Sequence, residues 1–237
     1  MNVAVLSPHL DDAVLSVGCR IASASRHGGR VRVVTVLAGD PAATRPAGPW
    51  DAESGFGSAG EAARVRREED LLACAILGAE PVWLPYCDEQ YPRGGSDGEI
   101  WAATAEALRG VDAVLAPGSP LSHPDHRWLT GLVMAHRGEL PRLGLYAEQP
   151  YSIGKGPPRD RGTLAEVAVP EPAFAPARGS FLAGRLRRRA RRCYRSQLAQ
   201  LGRYVDGSWD DLEREIGRWE RRAGREPVAW IADVGRG

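Results

Sequence analysis

As far as residue 150, short apolar runs alternate with stretches in which apolar residues recur every three or four positions. The runs are typical of buried strands, and the spaced stretches are typical of helices with one buried face. This alternation predicts parallel βαβ units with right-handed crossovers. We therefore expect an α/β fold with a Rossmann-like, mostly parallel sheet flanked by helices. The predicted strands cover 3–6, 31–37, 81–84, 113–116 and 143–147, and the predicted helices cover 12–25, 61–77, 99–108 and 127–135.

The pattern changes after Ser152, where a segment rich in Gly, Pro and Arg begins. We therefore predict an α/β core over residues 1–152 and a small C-terminal extension over 153–237 that packs on it within one continuous domain. The extension is predicted to hold strands at 164–169 and 227–231, a Pro-rich segment at 170–176, and helices at 181–201 and 209–222.

Composition narrows the range of partners. The 237 residues carry a net charge of +1 and are 43% hydrophobic, which is ordinary for a globular domain and gives no overall attraction to nucleic acid. No apolar run approaches the ~20 residues of a membrane span. The N-terminus enters a predicted strand without the pattern of a signal peptide. We therefore expect no membrane span, no nucleic-acid partner, and a cytoplasmic location.

The basic stretch at 185–195 is the main local departure from this charge balance. Such a run can bind phosphate or nucleic acid. Apolar residues recur through it at helical spacing, which favours the solvated face of a packed helix. The four cysteines form no CxxC pair, so the sequence indicates no disulfide framework.

A long segment at 38–60 has the composition of a loop and contains Trp50. A loop of this length in a compact domain is either functional or mobile. It starts at the end of the second predicted strand, so one interpretation is a substrate rim with Trp50 in it. The other interpretation is a mobile surface loop.

Two polar clusters directly follow predicted strands. The first is His9-x-Asp11-Asp12 and the second is His123-Pro-Asp125-His126. By itself, an Asp pair after a strand is typical of a helix N-cap with a first-turn acid, and the second cluster is typical of a turn. Both clusters nevertheless reach the edge of the sheet where an open α/β fold binds its ligands. Because unpaired buried charge is costly, their convergence favours a metal site.

Two histidines and a carboxylate make an open catalytic zinc site with room for water. His9 and Asp12 are three residues apart, so both can point one way as the chain turns into a helix, and His126 can arrive from the second cluster. A zinc ion lowers the pKa of water toward ~7, and a nearby carboxylate can accept the proton. Spacing alone lets either Asp11 or Asp12 bind the metal.

The remaining residues of the second cluster have candidate roles beside the metal. His123 can stabilise an oxyanion or protonate a leaving amine. Asp125 can orient a histidine ligand from behind.

These motifs resemble the PIG-L / LmbE-like family of zinc-dependent N-deacetylases. The resemblance spans about residues 2–200 and departs from the family pattern at Leu10 and Ala13, where the family usually has Pro and Glu. Four motifs carry it: Pro8-His9-Leu10-Asp11-Asp12-Ala13, His123-Pro124-Asp125-His126, Arg66 with Glu69, Ala73 and Leu77-Gly78, and Tyr194 with Ser196 and Gln197.

The resemblance implies a role for each matched residue. It implies His9, Asp12 and His126 as zinc ligands, Asp11 as the general base, and His123 as the stabiliser of the tetrahedral intermediate. It also implies Arg66 in or near the substrate pocket. The alternative for Arg66 is a helix-surface arginine that pairs with Asp70.

The expected protein is thus a zinc hydrolase that removes an N-acetyl group from an amino sugar or its glycoside, with another divalent metal able to replace zinc. One alternative is a metal-dependent amidase that acts on a larger, non-sugar amide such as a thiol conjugate. A different class is a Rossmann-like nucleotide-binding protein without hydrolytic activity. The segment at 7–12 disfavours that class because it lacks a glycine-rich turn for phosphates.

Overall fold

The computed structural model describes residues 1–155, 174–176 and 180–231. In these residues one sheet has the strand order β3-β2-β1-β4-β5-β7-β6. Strands β1 to β5 pair in parallel, and β7 pairs antiparallel with both β5 and β6. This confirms the predicted mostly parallel α/β fold. The strands are β1 Val3–Ser7, β2 Val31–Thr35, β3 Glu80–Trp83, β4 Ala113–Ser119, β5 Arg142–Ala147, β6 Phe174–Ala175 and β7 Val228–Trp230.

The helices lie between and after these strands. The longer ones bury an apolar face against the sheet or against neighbouring helices, as their spacing predicts. They are α1 Asp12–Arg26, α2 Pro49–Glu53, α3 Ala59–Leu77, α4 Asp97–Ala107, α5 Pro124–Ala135, α6 Phe181–Arg191, α7 Arg195–Gly202 and α8 Trp209–Ala223, with short 3-10 turns at Arg137–Glu139 and Arg203–Val205. None of the described helices is long and apolar enough to cross a membrane.

The two central strands position the site. Every residue of β1 and β4 is buried, and Val3 of β1 pairs with both Val31 and Ala113. The strand order reverses at β1, because the chain runs outward to β3 on one side and then returns to β4 on the other. A crevice opens at such a switch point, outside the carboxyl ends of the strands. Both predicted clusters leave the sheet at this crevice.

Helix α5 begins three residues earlier than the sequence predicts. Pro124 occupies the first turn, where its missing N–H costs nothing. The His123 side chain caps the helix by accepting a hydrogen bond from the Asp125 backbone N–H. Asp125 and His126 are therefore fixed in a helical turn and do not lie in a loop.

Two sequence-based predictions about the secondary structure need correction, and a third falls on residues that the structure does not describe. The segment at 38–60 is not all loop, because it contains α2. The helix predicted at 181–201 is two helices, since the chain breaks where the Tyr194 hydroxyl reaches Asp70 at 2.8 Å. The predicted strand at 164–169 lies outside the described residues.

The basic stretch is only partly a solvated face. Arg187 is buried and pairs with Glu220 and, at 3.2 Å, with Glu226. Arg191 is 1% exposed and donates to the Leu15 carbonyl oxygen. Helix α6 therefore uses charged side chains to attach itself to α1 and α8. For these two arginines the predicted solvated position was wrong, because a long arginine can bury its stem and still find a partner for its charged tip.

Candidate active site

Three side-chain atoms meet at the crevice, and they belong to the three predicted ligands. His9 Nδ1 lies 3.3 Å from Asp12 Oδ2, and His126 Nε2 lies 3.2 Å from the same oxygen. The two ring nitrogens are 3.4 Å apart. Tetrahedral zinc binds nitrogen and oxygen at about 2.0–2.1 Å, so its ligands stand about 3.3 Å from one another. The triangle therefore has the size of one face of a zinc tetrahedron.

Local chemistry at the start of α1 explains why the two aspartates differ. The hydroxyl of Ser7 accepts the Ala13 N–H at 3.0 Å and so caps the helix. The carboxylate of Asp12 accepts the His9 N–H at 2.9 Å, which turns it toward the histidines. Asp11 occupies the N-cap position but makes no side-chain cap bond. Its carboxylate lines the pocket beside the triangle.

A carboxylate stands behind each histidine of the triangle. His9 Nε2 lies 3.0 Å from Asp125 Oδ2, and Asp125 also accepts from Arg93 Nη2 at 2.6 Å. His126 Nδ1 is bonded to Glu148, a residue with 1% exposure. A carboxylate behind the ring selects the tautomer whose other nitrogen offers its lone pair to a metal.

Glu148 was missed by sequence reasoning. It stands one residue beyond β5, at the same edge of the sheet as the two clusters. Its position after a parallel strand was the available signal, although no motif marked it. Its other carboxylate oxygen accepts the Leu121 N–H at 3.1 Å, so it also fixes the turn that leads to the second cluster.

His123 is an alternative metal ligand. Its ligand atom, with those of His9 and His126, belongs to a group that lies within 4.8 Å. Its Nδ1 accepts the Asp125 N–H at 3.2 Å, however, so the ring proton belongs on Nε2. An Nε2–H group donates hydrogen bonds and cannot bind a cation. The shorter distances from Asp12 also favour Asp12 over His123 as the third ligand.

Electrostatics at the triangle favour positive charge. Burial would lower the pKa of His126, but the charges of Asp12 and Glu148 raise it well above its ordinary value. Burial would raise the pKa of Asp12, but His126 and His9 hold it well below its usual range. For Asp11, burial and the charge of Asp12 together raise the pKa to about 6. The donor set and its charge fit a divalent cation between the two rings.

The pocket above the triangle contains both predicted substrate contacts. Arg66 lines it and pairs with Asp51, with 3.4 Å between the charged atoms. The alternative pairing of Arg66 with Asp70 is not formed, since Asp70 accepts from Trp83 and Tyr194. Trp50 also lines the pocket.

The C-terminal motif, Tyr194 with Ser196 and Gln197, contacts the wall of the pocket that Arg66 and Trp50 line. Ser196 donates to Glu69 from both its backbone N–H and its hydroxyl, at 2.8 and 2.7 Å. The Trp50 indole N–H donates to Gln197 at 2.6 Å. The matched residues on α3 and α7 therefore contact each other, although they are far apart in sequence. Their contacts carry α7 to the pocket wall.

We expect Glu148→Gln to weaken metal binding by about 10- to 100-fold, because loss of a carboxylate behind a ligand histidine typically costs that much. Competition with a chromophoric chelator measures the affinity. The matched control is Glu139→Gln, which disrupts a second Glu–His pair, at the surface, where Glu139 contacts His136 at 2.7 Å. Equal affinities in the wild type and both variants would refute the role of Glu148.

Comparison with known proteins gives a family and a set of related folds. The profile of the PIG-L family, described as GlcNAc-PI de-N-acetylase, matches residues 4–136. Among curated proteins, none matches this chain significantly.

Solved structures match over nearly the whole chain. A triple mutant of the deacetylase of the teicoplanin biosynthetic pathway is 23% identical, with a TM-score of 0.77 and 99% and 100% of the two chains covered. The zinc-inhibited form of teicoplanin deacetylase is 21% identical, with a TM-score of 0.74 and the same coverage. The A40926 pseudoaglycone deacetylase is 26% identical, with a TM-score of 0.74 and 97% and 96% covered. The diacetylchitobiose deacetylase of Pyrococcus horikoshii is 21% identical, with a TM-score of 0.61 and 97% and 82% covered.

Proposed function

This chain belongs to the PIG-L family of de-N-acetylases, and from that premise we propose that it is a zinc-dependent hydrolase that removes an N-acetyl group from an amino sugar or an amino-sugar glycoside. The observation that carries the proposal is the triangle of His9, Asp12 and His126 ligand atoms, 3.2–3.4 Å apart, with Asp11 beside it in a pocket. We propose these three residues as the ligands. Other divalent metals suit the same donors, and the cytoplasm remains the predicted compartment.

Zinc, when bound, polarises the amide carbonyl and makes water more acidic. The carboxylate of Asp11 accepts the proton of the attacking water, which is the task of a general base. The Nε2–H of His123 donates a hydrogen bond to the carbonyl oxygen as that oxygen gains negative charge. The proton on Asp11 then passes to the amide nitrogen, the C–N bond breaks, and acetate and a free amine leave.

The sugar is assigned to the wall that Trp50 and Arg66 form. The indole N–H of Trp50 is bonded to Gln197, so the edge of the ring is fixed and its face is left for contact with sugar C–H groups. The guanidinium of Arg66 lies among carboxylates and has a buried Nε without a protein acceptor. Asp125 keeps His9 oriented throughout.

A mass-spectrometric screen of N-acetylated sugars and their glycosides tests the proposal. Protein reconstituted with Zn²⁺ is expected to convert at least one substrate to a product lighter by one acetyl group, with one acetate released per amine. Chelation should abolish the turnover, and added metal should restore it. Release of a larger carboxylic acid from a non-sugar amide would instead identify an amidase. Absence of all turnover in metal-loaded protein would refute hydrolysis.

A further inference from the structure

The segment at 84–96, which joins β3 to α4, supplies one wall of the pocket. Three of its residues line the pocket, namely Asp88, Glu89 and Gln90. The side-chain oxygen of Gln90 also accepts the backbone N–H groups of Trp50 and Asp51, at 2.8 and 3.2 Å. The segment therefore holds the start of α2, and with it the Trp50 ring that we assign to the sugar.

Arg93 of the same segment attaches it to α5. Its guanidinium donates to Asp125, with 2.6 Å between Nη2 and Oδ1, and its central carbon lies 4.2 Å from the centre of the Trp128 ring. Asp125 and Trp128 are three residues apart on α5, so they are neighbours on one face and the guanidinium contacts both. The Trp128 indole N–H donates to Asp97 at 3.0 Å, which fixes the ring. An ion pair combined with a cation–π contact suits the planar guanidinium of arginine.

Asp125 connects Arg93 to the proposed metal site. Its carboxylate is 1% exposed, and the two oxygens have different partners. Oδ1 accepts from Arg93, whereas Oδ2 lies 3.0 Å from His9 Nε2 and accepts the Glu89 N–H at 3.3 Å. Because Arg93 and Glu89 both belong to the segment at 84–96, that segment fixes the carboxylate in one orientation. A fixed partner behind a ligand histidine holds its ring in the orientation that the metal needs.

We propose that Arg93 is a positioning residue with two effects: it fixes Asp125 behind His9, and it docks the segment at 84–96 against α5 so that the pocket wall is formed before substrate arrives. The proposal rests on the metal-dependent function proposed above. Arg93 is not among the described residues that line the pocket. Its effect on the metal therefore passes through Asp125, and its effect on the substrate passes through the segment.

Metal affinity tests the connection from Arg93 to His9. Competition with a chromophoric chelator for Zn²⁺ should show that Asp125→Asn binds about 10- to 100-fold more weakly than the wild type, the usual loss for a partner behind a ligand. Arg93→Ala should lose about 10-fold, the lower end of that range, because Arg93 acts through one further residue. The double variant should match Asp125→Asn alone, since Arg93 reaches the metal only through the Asp125 carboxylate.

Substrate binding tests the second effect. At saturating Zn²⁺, Arg93→Ala is expected to raise KM for an N-acetyl sugar by about 3- to 10-fold, because binding must then order the segment that forms the pocket wall. Arg93→Lys keeps the positive charge beside Asp125 but lacks the planar fork, so it should recover only part of both losses. The matched control is Arg192→Ala, which removes a surface ion pair whose atoms lie 2.7 Å apart, between Arg192 and Asp210. The control should keep wild-type metal affinity and KM.

The outcomes separate this proposal from the function on which it rests. Wild-type metal affinity and wild-type KM in folded Arg93→Ala protein would overturn the role of Arg93 and leave the deacetylase function standing. If Arg93→Ala cost the same metal affinity with and without the Asp125 carboxylate, the loss would come from general loosening of the fold, and the positioning role would be wrong. A wild type that binds Zn²⁺ but hydrolyses no N-acetyl sugar would overturn the proposed function, while the chelator measurements would still decide the link from Arg93 to the metal. A wild type that binds no Zn²⁺ would overturn both.

Discussion

Asp11→Asn is expected to lower kcat by about 10²- to 10⁴-fold, the usual contribution of a general base, while the protein keeps its metal. Asparagine has the shape of aspartate but accepts no proton at neutral pH. The Asp11 side chain makes no cap hydrogen bond in α1, so the change should leave the helix intact. Acetate release measures kcat, and elemental analysis of the purified variant measures bound metal.

The neighbouring residue provides the matched control. Asp12→Asn removes the same charge one position later, but Asp12 Oδ2 lies 3.3 and 3.2 Å from the two histidine nitrogens. We therefore expect Asp12→Asn to lose metal as well as activity. If metal were lost only in Asp11→Asn, Asp11 would be the metal ligand and Asp12 the general base. Spacing in the sequence left both assignments open, so this comparison decides between them.

The sequence predicted that the two polar clusters meet at one edge of the sheet, because their meeting depends on topology. His9 and His126 follow β1 and β4, and these strands are neighbours in the sheet. Once a parallel sheet is predicted, strand ends converge whatever the details of packing. The same logic could have identified Glu148, which follows β5, the next neighbour of β4. It was overlooked because a single carboxylate after a strand forms no recognisable cluster.

The pocket wall was less predictable because tertiary contacts stabilise it. Helix α2 has five residues, which is too short for a stable helix in isolation. Glutamines from other segments hold it: Gln90 accepts the Trp50 N–H at 2.8 Å, and Gln200 donates to the Trp50 carbonyl at 2.8 Å. No local pattern encodes such contacts. Tyr151 and Tyr204 likewise meet only in the folded chain.

The break between α6 and α7 shows that the spacing of apolar residues does not always predict where a helix ends. Apolar residues at helical spacing continue through Tyr194, so the pattern predicts one helix. The structure ends α6 at Arg191 and starts α7 at Arg195. Tyr194 turns inward, becomes fully buried, and donates to Asp70. A buried hydroxyl needs a partner, and that requirement overrides continuation of the helix.

His126→Ala is the second change with a large expected effect, and it should abolish tight metal binding and activity together. His126 is fully buried and is the only proposed ligand that the second cluster supplies. Its removal leaves Glu148 buried without its histidine, and loss of one partner from a buried charged pair typically costs about 3–5 kcal/mol of stability. We therefore expect a lower urea midpoint even for metal-free protein.

A combined variant separates the loss of metal binding from the loss of folding stability. In His126→Ala with Glu148→Gln, the buried side chain no longer carries a charge that needs a partner, so the urea midpoint of the metal-free protein should partly recover. Metal affinity, measured by chelator competition, should not recover. His136→Ala is the control for loss of a histidine, since His136 pairs with Glu139 at the surface. Wild-type metal affinity in His126→Ala, measured on folded protein, would remove His126 from the ligand set. The remaining candidates would then be His9, Asp12 and His123, which would leave His123 unable to serve as the hydrogen-bond donor of the proposed mechanism.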